Sequence, residues 1–307
     1  MLISVVVCTR NRARQIGEFL ESAAALKAPS KAAWELVLVD NGSTDGTADA
    51  AGRFADRLPM RLFREERAGL SNARNAGVSR ARGDYICWTD DDVILDPQWL
   101  AEYEKAFLAQ PDVALFGGPV RPRLIGDTPL WFQEGRPLLG GLLAERPDRP
   151  GGPIDLDHLE RLPFGANFAV RADAQRLEAY DRELGVSPDF RRLGEETKVM
   201  IALLKRGYTA GWAPGAVVNH LIPEGRQTLE YVAQYFQSAA ATSAFLRARG
   251  EADFINAGPA GRLSKRRFVR HAILYRAWRL LGRSRRSLYH FIELNRLKGF
   301  RDAMSGA

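Results

Sequence analysis

Through the first half of the chain, apolar residues gather in short β-branched runs, and each run stops at a polar cluster. Leu2 to Cys8 is one such run, halted at Thr9-Arg10-Asn11; behind it Ile16, Phe19, Leu20 and Ala23 recur at helical spacing. The pattern predicts a strand followed by a helix. Glu35 to Val39 opens a second pair, ending at Asp40 and passing through Asn41-Gly42-Ser43 into a helix over Thr44 to Phe54, with Ser43, Thr44 or Asp45 as its cap. A short strand near Arg61 to Arg64, a helix near Ser71 to Ala81 and a strand from Tyr85 to Thr89 follow, and Pro97 starts a further helix. This alternation predicts an α/β fold with a mainly parallel central sheet flanked by helices. In such sheets ligands bind beyond the carboxyl ends of the strands, where the polar clusters lie.

After Asp112 the pattern changes. Gly117 to Pro153 is rich in Gly and Pro, with Trp131 and Phe132 on no periodic face, and reads as a long functional loop. Phe164 to Val170 predicts a strand, Glu195 to Lys205 a helix, and Tyr208 to Val218 one or two short strands around Pro214; from Thr228 onward the spacing is helical. The expected organisation is an α/β domain over residues 1–225 with a C-terminal helical extension over 226–307.

Composition narrows the picture. The chain has 307 residues, 46% of them hydrophobic and 26% charged, enough for a full core and against general disorder. No apolar run approaches the roughly 18 residues of a membrane span. The basic residues follow the first apolar run, the reverse of a secretory signal, so the expected location is the cytoplasm. Cys8 and Cys87 sit inside strand-like runs without Cys-x-x-Cys spacing, and read as buried thiols.

The net charge of +7 divides unevenly. Residues 225–307 hold 16 Lys and Arg against 5 Asp and Glu, leaving 28 against 32 in the rest. A basic tail on a slightly acidic domain points to an anionic partner: a membrane surface, a nucleic acid or a phosphorylated ligand. Arg276, Arg279, Arg283 and Arg286 fall on one helical face, while Val269, Ile273, Leu274, Ala277, Trp278 and Leu281 gather on another. That is the pattern of an interfacial membrane helix, and equally of a helix packed on its domain with a solvated arginine face.

The strongest chemical signal is Asp90-Asp91-Asp92 at the end of an apolar strand. Three like charges need a cation or hydrogen-bond donors to hold them, and hard ions such as Mg²⁺ and Mn²⁺ prefer carboxylate and phosphate oxygens. Alternation places Asp90 and Asp92 on one face, with Asp91 pointing elsewhere. A solvated acidic turn satisfies the triplet equally when it is taken alone. The cluster from Asp40 and Asn41 to Thr47 allows close backbone approach to a nucleotide, with Asp40 placed to accept a uracil imide N–H, although the same residues make a capping turn. Gly69 to Gly77 offers a helix start and one inward arginine, Arg74, suited to a base or diphosphate.

Taken in order, Thr9-Arg10-Asn11-Arg12, the Asp40 cluster, Asn72 to Gly77, the aspartate triplet, Pro163 to Arg171, Gly194-Glu195-Glu196 and Pro214 to His220 resemble glycosyltransferase family 2, of Rossmann-like GT-A fold, over about residues 1 to 225. The resemblance implies an inverting transfer of a single sugar from a nucleotide-diphosphate sugar, with a UDP-sugar favoured, in polysaccharide or cell-envelope synthesis. It places Thr9, Arg10, Asn11, Asp40, Asn41, Arg74, Asp90 and Asp91 around the donor. Asp92, Asp90 and His220 would face Mn²⁺ or Mg²⁺, and Gly165, Ala166 and Asn167 the acceptor. The base would be the second acid of the pair, Glu196, with Glu195 as the alternative, since the family commonly has Asp there. The implied acceptor is a glycan or polyprenyl-diphosphate-linked sugar, with peripheral attachment to the inner face of an anionic membrane through residues 262–307. The competing reading is a degenerate GT-A domain whose tail binds nucleic acid or membrane; without aromatic-rich RNA signatures, nucleic acid is not the expected partner. Without a Gln-x-x-Arg-Trp signature or membrane spans, a processive synthase is disfavoured.

Overall fold

The structure is a computed structural model that describes residues 1–149, 151–251 and 263–305. It divides into two compact units. The first comprises residues 1–123, 144–190 and 195–221; the second comprises 124–143, 191–194 and 222–307. The grouping is therefore not a single cut near residue 225.

In the first unit, β1 (Leu2–Thr9), α1 (Ile16–Ala24), β2 (Ala33–Asp40), α2 (Thr47–Gly52), β3 (Met60–Arg64), α3 (Leu70–Arg80) and β4 (Tyr85–Asp90) alternate. β5 (Val93–Leu95), α4 (Trp99–Ala109), β6 (Leu115–Gly117) and β7 (Val120–Leu124) come next. Beyond α5 (Leu130–Gly135) and α6 (Gly140–Leu143) the chain forms β8 (Asn167–Arg171), α7 (Ala172–Gln175), β9 (Gly185–Val186), β10 (Arg191–Arg192), α8 (Glu195–Lys205), β11 (Ala210–Trp212) and β12 (Val218–Ile222). Seven strands build the main sheet in the order β11-β6-β8-β4-β1-β2-β3, and β5-β12-β7 form a smaller one. β1 pairs in parallel with β2 and β4, and β2 with β3. β8 runs against both β4 and β6.

The central strands are buried on both faces, as the unbroken apolar runs require of parallel strands covered by helices. α1 lays Ile16, Phe19, Leu20 and Ala23 on the core. α3 approaches the sheet closely at Gly77, where an added methyl would meet Val6 Cγ1 at 2.6 Å.

The described residues of the expected long loop between Gly117 and Pro153 are largely structured; Pro150 lies outside the described residues. β7, α5 and α6 fall within it, and Phe132 is fully buried. Phe132 packs with Leu139, Leu143, Val232 and Leu288 in the core of the second unit, a partnership distant in sequence and invisible to local periodicity. That unit also holds α9 (Leu229–Ala248), α10 (Lys265–Leu280) and α11 (Ser284–Ser305). The basic helix read through Arg286 ends early: Gly282 takes φ +65° and α11 packs back along α10, with Arg286 stacked 4.5 Å from the Trp278 ring. Residues 252–262 and 306–307 of the expected tail lie outside the described residues. Among the described residues no helix is long and apolar enough to cross a membrane.

Candidate active site

β2 and β3 extend the sheet from one side of β1, and β4 pairs on the other, so the chain changes direction across the sheet between β3 and β4. A crevice at such a switch point is where open α/β sheets hold ligands. The register sets Thr9 opposite Asp40 and Cys8 opposite Asp90, which brings the ends of β1, β2 and β4 to one edge.

The three aspartates part company there. β4 ends at Asp90, whose Oδ1 faces Arg74 Nη2 at 3.7 Å. Asp91 is buried and accepts a 2.7 Å hydrogen bond from Thr9 Oγ1, with Arg12 Nε 3.5 Å away. Burial pushes its carboxyl up to about 7 against the pull of Arg12. Asp92 stands between Arg12 Nη2 at 3.7 Å and His220 Nε2 at 3.6 Å. Asp91 and Asp92 thus share Arg12 while Asp90 turns to Arg74, so the alternation that pairs Asp90 with Asp92 stops where β4 ends, and Thr9 spends its hydroxyl on Asp91.

Arg12, to which local spacing assigns no role, is a cation of this edge. Asn11 before it takes the left-handed φ of +53°, and its Oδ1 accepts from Thr44 N at 2.9 Å. That turn carries Arg12 toward the aspartates, a conformation Asn tolerates better than most residues.

Beneath the acids lies Arg74, its side chain 4% exposed and enclosed by the rings of Trp88, Phe168 and Tyr180 at 5.3, 5.9 and 5.5 Å. Its Nε has no hydrogen-bond partner and stands 3.5 Å from Glu195 Oε1. Burial alone favours a neutral group, yet Glu195, Asp90 and Glu196 hold the proton on and raise the guanidinium further. Glu195 and Glu196 open α8, a helix start that favours carboxylates. Glu195 is buried, and burial with its neighbour Glu196 pushes its carboxyl up to about 8 against the pull of Arg74. Glu196 is half-buried beside Gly165, where an added methyl would meet Glu196 Oε1 at 3.2 Å and Arg74 Nη2 at 2.9 Å.

Several expected donor-side residues are tied into the scaffold. Asp40 is buried, accepts from Ser43 N at 2.9 Å and faces Arg64 Nη1 at 3.4 Å. Asn41 bridges Gly69 N and the carbonyls of Glu65 and Arg67. Arg10 donates to the Asn41 carbonyl. On the expected acceptor side, Ala166 is buried and its carbonyl accepts from Thr89 Oγ1. The Asn167 amide is turned inward and fully buried, accepting from Trp99 Nε1 and Tyr103 Oη and donating to the carbonyls of Pro119 and Ala216. All four of its hydrogen-bonding positions are filled, so its side chain serves the scaffold.

Residues 4–155 match the model of the glycosyl transferase family 2 domain. The chain belongs to glycosyltransferase family 2. Among curated relatives of this family 2 chain, the glucosyl-dolichyl phosphate glucuronosyltransferase of Haloferax volcanii is 27% identical over 237 residues, which are 76% of this chain and 73% of the relative. Among solved structures, the Pyrobaculum calidifontis mannosyltransferase PcManGT, in complex with GDP-Man and Mn²⁺, aligns over 99% of this chain and 74% of its own, with TM-score 0.57 and 21% identity. S. aureus TarS 1-349 in complex with UDP-GlcNAc aligns over 100% of this chain and 91% of its own, with TM-score 0.55 and 14% identity. These likenesses establish the GT-A fold.

GT-A neighbours raise the question of a metal, and the donor set answers for its fit. Among the described residues no three His, Cys, Asp or Glu side chains gather as a cage. Asp92 and His220 nonetheless converge, and an ion shared with substrate phosphates takes only one or two protein ligands. Asp90, the other expected ligand, turns to Arg74 instead.

Proposed function

We propose that this family 2 glycosyltransferase moves one sugar, with inversion, from a nucleotide-diphosphate sugar to a hydroxyl of a glycan or lipid-linked acceptor. The observation that carries the reading is Glu196, a half-buried carboxylate at the start of α8, set against Gly165 and above the buried Arg74. Inversion requires one base on the acceptor side, and Glu196 takes the proton from the attacking hydroxyl. Glu195 is the buried member of the pair and Glu196 the half-buried one, which leaves Glu196 open to the acceptor. Gly165 leaves room for the acceptor oxygen beside that carboxylate.

On the donor side, Asp92 and His220 would hold Mn²⁺ or Mg²⁺ together with the diphosphate. The ion, when bound, neutralises the charge that grows on the departing nucleotide diphosphate. Arg12 balances Asp91 and Asp92, and Arg74 holds Asp90 at the ribose side. A UDP-sugar is the favoured donor by resemblance to the family, with Asp40 shaping the turn from Asn41 to Ser43 rather than standing open to a base. Peripheral attachment to the inner face of the cytoplasmic membrane belongs to the same reading.

The test is calorimetric titration of the protein with UDP, GDP and dTDP, each in Mn²⁺ and in EDTA. Tight binding of UDP alone that collapses in EDTA supports the reading. Binding of GDP or dTDP in preference to UDP moves the donor to that nucleotide, and equal binding in EDTA removes the metal from the site.

A further inference from the structure

Among the described residues seven large apolar side chains are more than half exposed, and four of them fall within residues 269–281: Val269 at 57%, Ile273 at 59%, Leu280 at 88% and Leu281 at 67%. The first three recur at i, i+4 and i+11, which a 3.6-residue turn brings to one face of α10, with Arg276 among them. This stripe is not the face that holds the helix in its unit: His271 is buried and Tyr275 packs against Phe291 of α11. Solvent exposure of such a stripe at the end of a long helix marks an interaction surface.

Charge identifies the partner. From Lys265 to Arg286 the sequence has no Asp or Glu. Six arginines lie between Arg270 and Arg286, and none forms an ion pair with a carboxylate among the described residues. Arg279 donates to the Tyr275 hydroxyl and Arg286 stacks on Trp278, so two of the six are held in place without being neutralised. Gly282, at φ +65°, turns the chain immediately after Leu280 and Leu281 and leaves that apolar pair at the tip of the α10–α11 hairpin. An apolar tip set in uncompensated guanidinium groups complements a surface that is anionic outside and hydrocarbon within. A nucleic acid would use the arginines and leave the leucines in water.

We propose that the outer face of α10 and the α10–α11 turn dock on an anionic lipid leaflet, with Leu280 and Leu281 entering the headgroup boundary and the arginines on lipid phosphates. This locates the membrane contact assumed in the reading above, and it is independent of the donor chemistry.

The experiment is co-sedimentation of the full chain with vesicles of phosphatidylcholine, alone or mixed with phosphatidylglycerol, at low and raised salt. Binding is expected to the mixed vesicles and not to phosphatidylcholine alone, and to weaken as salt rises. The triple variant Arg276→Gln, Arg279→Gln, Arg283→Gln should lose roughly 100-fold in affinity, about fivefold per arginine. Leu280→Ser with Leu281→Ser should lose about tenfold while keeping the salt response. These side chains are exposed, so thermal melting is expected to be unchanged; should the leucine pair fail to fold, Leu280→Ser alone makes the same test. Equal binding to neutral vesicles, or full binding by the leucine variant, overturns the proposal. So does equal affinity for an RNA duplex that ignores the leucines, or a dimer in sedimentation that the leucine variant dissolves. Nucleotide calorimetry on the same samples separates failure of this surface from failure of the glycosyl-transfer reading.

Discussion

Arg74 Nε and Glu195 Oε1 face each other at 3.5 Å in a setting from which solvent is excluded, and the pair ties α3 to the first residue of α8. Glu195 nevertheless titrates high, because burial and Glu196 outweigh Arg74. Its carboxyl is raised from 4.5 to about 8, so the folded chain keeps a proton that the unfolded chain releases. Stability therefore falls as pH rises through that window. Melting temperature should drop by several degrees between about pH 5 and about pH 8, and by less in Glu195→Gln, which mimics the protonated side chain. Equal pH slopes in the two proteins would place the proton elsewhere.

Glu196→Gln removes the base and keeps the shape. Turnover should fall by roughly 10²- to 10⁴-fold with nucleotide affinity unchanged in calorimetry. Normal turnover in this variant would transfer the role to Glu195.

Gly165→Ala inserts a methyl 2.9 Å from Arg74 Nη2 and 3.2 Å from Glu196 Oε1. A small displacement of a catalytic group costs up to about 100-fold in rate. Single-turnover rates should fall while UDP affinity is retained; loss of both would mean that the turn has collapsed.

Asp92→Ala should lower nucleotide affinity in Mn²⁺ by at least about tenfold, down to the value measured in EDTA. His220→Ala should move the same way by a smaller amount. An Asp92→Ala protein that still distinguishes Mn²⁺ from EDTA would exclude this pair as the ion's ligands.

Asn167→Ala leaves Trp99 Nε1, Tyr103 Oη and two carbonyls without their partner. Each buried group left unsatisfied costs about 1–3 kcal/mol, so denaturant unfolding should show a loss of at least about 3 kcal/mol. A stable variant with altered acceptor use would restore Asn167 to the acceptor side.

Much of the frame was legible because strand ends are marked by chemistry that local spacing reports. The runs at Leu2, Glu35 and Tyr85 stop at Thr9, Asp40 and Asp90, and those three positions meet at one edge through the register of β1. Function at the level of family followed from seven motifs in order. What spacing could not report was direction of approach. Asn11 reads as a polar loop residue, yet its φ of +53° is what aims Arg12 at Asp91 and Asp92. Asn167 reads as part of a small-residue turn, yet it is the hub joining Trp99 and Tyr103 of α4 to the loops at Pro119 and Ala216. The arginine stripe of the tail continues in the sequence across Gly282, where the helix does not.

β8 runs against β4, so the segment that reaches the site edge beside β4 is the one leading into β8, not the one leaving it. The turns around Thr9, Asp40 and Asp90 all follow their strands, whereas Gly165 precedes its own. On the proposed reading, the two halves of one reaction fall to chain segments of opposite polarity. Lengthening or rewriting the stretch before Gly165 would then leave the turns at Thr9, Asp40 and Asp90 at their strand ends, so acceptor choice could change by local alterations on a separate segment.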